Sequence, residues 1–194
     1  WVASAGDEIS LATMFVGPLL FGTALTAVFL AIHRWVCGDS LRSLGLFGGR
    51  VGQDIVLGCV LAIIALAAKF AFDATLAPFF PRRSPPPQII ELLQGVVANP
   101  VLLAIWLGPV VWIGVALFEE VARGVLLRRV WLVIPNRAGF WIAIVSVSVL
   151  TGLGHWYQGP SGAVQIAAKS LVFGCILLRT GRIKVLIVGH ALYD

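Results

Sequence analysis

Residues 11–32 carry no charge at all, and four further apolar stretches follow at about 55–76, 97–131, 140–156 and 163–178. Crossing a hydrocarbon core of ~30 Å takes about 20 apolar residues in a helix, so each of these runs is long enough or nearly so. A sixth run, 183–194, is too short to cross at about 1.5 Å per residue. Composition agrees with the pattern, since 59% of the 194 residues are apolar and 12% are charged, against about 25% charged in a soluble domain. Such a chain lacks the polar side chains to wet its own surface, which excludes a soluble globular domain, a disordered chain and a coiled coil. The expected fold is all-α: a polytopic transmembrane helix bundle with about six spans and a short interfacial helix. That interfacial helix is placed after the Pro-rich stretch Pro85-Pro86-Pro87, within residues 77–98.

The net charge of +5 would suggest nucleic acid as a partner in a soluble protein, but here most of the bases fall in gaps between spans. Ten of them (Arg34, Arg42, Arg50, Arg123, Arg128, Arg129, Arg137, Arg179, Arg182 and Lys184) follow spans one, three and five. Only Arg82 and Arg83 occupy the other gaps. The asymmetry assigns the Arg-rich gaps to the cytoplasmic side and Trp1 to the outside. The expected partner is thus the lipid bilayer rather than nucleic acid. The three cysteines, Cys37, Cys59 and Cys175, have no close spacing and read as packing residues. No signal peptide is legible; an initiator segment is expected before Trp1 and further chain after Asp194.

Ionisable residues inside spans cost about 2.5–3.5 kcal/mol each on insertion scales and therefore mark candidate sites. Lys69 and Asp73 are four apart on one helix face and read as a neutralising pair. Lys169 lies near the outer end of its span, where its ammonium can snorkel to the interface. Glu119 and Glu120 point about 100° apart on their helix, and Arg123 can reach the first at i+4 or the second at i+3. One carboxylate can then be held by the guanidinium while the other serves acid–base chemistry. Glu119 is the favoured base, because it alone keeps the i+4 relation. His155 follows Gly152 and Gly154, which permit close backbone approach. His190 shares a face with Asp194 at i+4, and a carboxylate there can fix its tautomer. For both histidines to meet Glu119, spans must tilt or span four must break at Gly152–Gly154.

In this order the motifs Glu119-Glu120…Arg123-Gly124, Thr151…His155 and His190…Asp194 resemble the CAAX-protease-and-bacteriocin-processing (CPBP, or Abi) family of intramembrane proteases, which includes the type II CAAX prenyl protease. The resemblance spans residues 95–194 and implies a catalytic helical core there, with residues 1–94 as an N-terminal transmembrane pair and its connecting loop, all within one membrane domain. It implies a multi-pass protein of a bacterial cell membrane that cleaves a peptide or prenylated-protein substrate. Glu119 or Glu120 would activate water, with Arg123, His155, His190 and Asp194 completing the site. Two residues rather than three separate Glu120 from Arg123, Thr151 stands in place of the family's Phe, and Asp194 in place of the better-studied Asn. The first leaves the base as Glu119 or Glu120; the second reads as a packing change. A metal variant would use His155, His190 and Glu119 as ligands for Zn²⁺ with one open position. The rival classes are a non-proteolytic immunity or scaffold protein of the same fold, and a proton-coupled transporter. The latter is disfavoured by the lack of an inverted repeat.

Overall fold

The computed structural model describes residues 10–194, so the expected placement of Trp1 lies outside the described residues. Seven helices account for the bundle, and no strand occurs among the described residues. Helix α1 (Leu11–Val36) ends in one wide π turn, α2 is Val51–Thr75, and the short α3 is Pro87–Ala98. Helix α4 is a single 34-residue element, Pro100–Val133, followed by α5 (Arg137–Gly154), α6 (Gly159–Thr180) and α7 (Ile183–Tyr193). Five of these are long and apolar enough to span a membrane. The sixth expected span, α7, has 11 residues and is wedged between α2 and α4.

The element ends follow from local chemistry. Asn99 caps α4 by accepting from the Val101 and Leu102 amides, and Asn136 caps α5 by accepting from Gly139. Gly181 closes α6 in the left-handed region at φ 64°, which a side chain would resist. Within α4, Gly108 leaves helical geometry (φ −91°, ψ −107°) because Pro109 crowds the residue before it. The kink expected at Gly108–Pro109 is therefore present, and a stretch of wide turns follows as far as Leu117.

Helix α4 is the hub, touching α1, α5, α6 and α7. The buried core gathers on it: Val121 and Leu127 from α4, Ile144 and Val147 from α5, Phe173 from α6, Ile183 and Leu186 from α7. Outward faces stay apolar, as Leu20 (68% exposed), Ile63 and Phe70 illustrate, which suits helices solvated by lipid. Between such helices association depends on close packing of small residues. Gly22 of α1 lies against the Gly114 backbone of α4, and a Cβ on Gly22 would collide with the Gly114 carbonyl. Near the helix ends, ion pairs tie neighbouring elements together. Asp39 is held by Arg128 and Arg129, and the buried Asp54 by Arg182 (2.6 Å) and Lys184 (3.0 Å). The expected Lys69–Asp73 pair forms at 2.7 Å, with Arg82 joining Asp73 at 3.0 Å.

The Gly22–Gly114 contact offers a direct test. Backbone cannot yield as a side chain would, so Gly22→Ala should destabilise by about 1–3 kcal/mol. Gly95→Ala, where a Cβ meets nothing within 4 Å, should stay within about 0.5 kcal/mol of the parent. Thermal unfolding in detergent measures both.

Candidate active site

Four ionisable residues converge from two helices and one helix end. Glu119 and Glu120 lie just beyond the wide turns of α4, His190 is on α7, and His155 is the residue that ends α5. The depth mismatch between the histidines is met by a break: α5 stops at Gly154, and His155 takes a non-helical conformation with its amide bonded to the Gly152 carbonyl. Of the two glycines, Gly152 makes the close approach, since a Cβ there would lie 2.6 Å from the Ala163 carbonyl oxygen of α6. Nothing lies within 4 Å of the Cβ position of Gly154.

Arg123 pairs with Glu120 at i+3, so the i+4 relation on which Glu119 was favoured as the base is not made. The reason is tertiary. The guanidinium also donates to Ser170 Oγ on α6 (3.2 Å) and lies 5.5 Å from the centre of the Phe173 ring. That face of α4 carries Glu120 and turns Glu119 away. Arg123 and Glu120 are both buried, at 2% and 0% exposure, so neither charge can be solvated if the other is lost. Glu120 Oε1 also accepts from His190 Nδ1 at 2.7 Å, which fixes the imidazole and aims Nε2 at the rest of the site.

Glu119 is left with the two histidines. Its Oε1 is 3.5 Å from His155 Nε2 and its Oε2 is 3.8 Å from His190 Nε2. His155 donates from Nδ1 to the Thr151 carbonyl (2.8 Å), so Nε2 is the atom it presents. Asp194 Oδ2 approaches His190 Nε2 at 3.0 Å, in the i+4 relation expected. All six expected site residues thus belong to one contact network.

Three further residues enter that network. Ser170 links Arg123 to the Thr151 hydroxyl (3.4 Å), so Thr151 is polar wiring as well as packing. Lys169 does not snorkel outward. Its ammonium is 3.2 Å from His190 Nε2 and 3.6 Å from Asp194 Oδ1, with a side chain only 11% exposed. The signal available in the sequence was an unpaired cation within an apolar span.

The zinc variant does not fit this geometry. No group of three or more His, Cys, Asp or Glu side chains among the described residues is arranged to hold a metal ion. His190 would have to ligate through Nε2, the atom that faces the Lys169 ammonium.

The sequence pattern of the type II CAAX prenyl endopeptidase Rce1-like family matches residues 100–194, the stretch that holds the whole site. The match covers nearly half of the chain and supports the CAAX protease family for its C-terminal part. In general terms the match supports a CAAX-type intramembrane protease. No curated protein and no solved structure matches the chain.

The buried ion pair sets an expectation. Arg123→Met should cost about 3–5 kcal/mol by leaving Glu120 charged and unpaired. Adding Glu120→Gln in the same chain should recover a large part of the loss. A double-mutant cycle on unfolding in detergent reads the coupling.

Proposed function

We infer that the protein hydrolyses a peptide bond in or beside the membrane with Glu119 as the group that activates water. The observation that carries this reading is the position of Glu119: a carboxylate free of Arg123, held between the Nε2 atoms of His155 and His190. Glu119 takes a proton from water as the water oxygen attacks the scissile carbonyl. His155 and His190 flank Glu119 through Nε2 and orient that water. Arg123 and Glu120 act one step back, holding His190 through Nδ1. Asp194 lies 3.0 Å from His190 Nε2 and orients that end of the ring, with the Lys169 ammonium between their charges, rather than donating to an oxyanion, since an ionised carboxylate has no hydrogen to give.

The reading takes residues 95–194 as the catalytic core and 1–94 as its membrane scaffold. The substrate is a peptide or prenylated protein reached from within the bilayer. The reading routes no step through a metal. The immunity or scaffold alternative has no use for a buried carboxylate aimed at two histidines.

Cleavage of a membrane-anchored peptide library by the protein in liposomes provides the test. Glu119→Gln should abolish turnover while the unfolding temperature stays at the parental value. Glu120→Gln should lower both, because it also weakens the buried pair. Full activity in Glu119→Gln would refute the assignment. Dialysis against a chelator should leave the rate unchanged; loss on dialysis and recovery with Zn²⁺ would show that a metal is required after all. Asp194→Asn should lower activity, and an unaltered rate would remove Asp194 from its orienting role.

A further inference from the structure

Building on the peptidase reading, we propose that Lys169 is a catalytic residue that binds the oxyanion of the tetrahedral intermediate. Hydrolysis needs a hydrogen-bond donor where the carbonyl oxygen gains charge, and the site is short of donors. Glu119, Glu120 and Asp194 supply acceptors only when ionised. Arg123 is buried and directs its bonds to Glu120 and Ser170. The Ser170 hydroxyl donates to Thr151, whose hydroxyl donates to the Val147 carbonyl. His155 commits Nδ1 to the Thr151 carbonyl, and His190 commits Nδ1 to Glu120.

Lys169 is different. Its ammonium carries three hydrogens, and two face His190 Nε2 and Asp194 Oδ1, leaving one for a ligand. The side chain is drawn in over the Tyr193 ring, 4.6 Å from its centre. It also forms part of the wall of a largely apolar cavity of about 140 Å³ between α2 and α6, bordered by Leu61, Phe72, Val172, Tyr193 and a second cation, Lys69. Of these two cations Lys69 is paired with Asp73, and Lys169 is the one that joins the cavity to His190 and Asp194. In an apolar surround its charge acts at full strength, with little water to screen it.

The step balances without any further reactant. Glu119 accepts a proton as the water oxygen bonds to the carbonyl carbon, and the C=O π pair moves onto oxygen. That oxyanion accepts an N–H from Lys169. When the pair returns, the C–N bond breaks and the amine leaves with the proton held by Glu119.

The test compares the parent with Lys169→Met and Lys169→Arg in liposomes. It reads kcat and KM for a cleaved membrane peptide, and the affinity of a phosphinate peptide that mimics the charged tetrahedral intermediate. Lys169→Met should lose about 10²–10³-fold in kcat with KM little changed, and phosphinate affinity should fall by a similar factor. Lys169→Arg, which keeps the cation, should retain more of both and guards against a Met variant that fails to fold. Parental kcat in Lys169→Met overturns the proposal. So does an equal loss of phosphinate and substrate affinity, which would make Lys169 a structural support for His190. A parent that turns over no peptide overturns the peptidase reading itself, a result distinct from either of these.

Discussion

The buried ion pair between Arg123 and Glu120 organises the centre of the bundle. Each charge is nearly without solvent, so each must be met by the protein. Arg123 is met by Glu120 on α4 and Ser170 on α6, and Glu120 by His190 on α7. Three helices are thereby held in one register by groups that cannot be exchanged for water. Apolar packing between lipid-facing helices is non-directional and would tolerate sliding or rotation. A chain of charged hydrogen bonds does not, because its donors and acceptors must meet at fixed distances.

That constraint explains why the two adjacent glutamates part company. A helix separates neighbouring side chains by about 100°, so the face that turns Glu120 to Arg123 and His190 necessarily turns Glu119 elsewhere. The elsewhere is the end of α5, where the helix stops and His155 is presented from a non-helical residue. The wide turns of α4 before Phe118 and the break after Gly154 are the irregular parts of long helices, and both adjoin the site. Regular helices supply the scaffold here, and irregular backbone aims the reactive side chains.

The spans were legible because hydrocarbon leaves a long apolar run with one option, the helix that satisfies its own backbone. The kink at Gly108–Pro109 was legible too, since proline acts on its neighbour by local sterics alone. The partner of Arg123 was not. Spacings of i+3 and i+4 are both allowed on a helix, and the choice was made by Ser170 and Phe173, which are distant in sequence. The direction of Lys169 was hidden for a similar reason. Position along a span indicates how far an ammonium is from the interface, but not which way its face of the helix looks.

That face is set by packing between α5 and α6, where Gly152 lets the α6 backbone come close. With the backbones this near, α6 cannot rotate freely, and the buried Phe173 fixes the same side against Arg123 and His190. Ser170 and Lys169 are adjacent residues of that helix, so the turn that sends Ser170 to Arg123 also brings Lys169 toward His190 and Asp194. A missing side chain at Gly152 thus decides where a cation stands in the site. Its consequence is electrostatic: three carboxylates gathered in a low-dielectric interior repel one another, and the two cations that offset them, Arg123 and Lys169, contact the site from opposite ends of His190, one through Glu120 at Nδ1 and the other at Nε2.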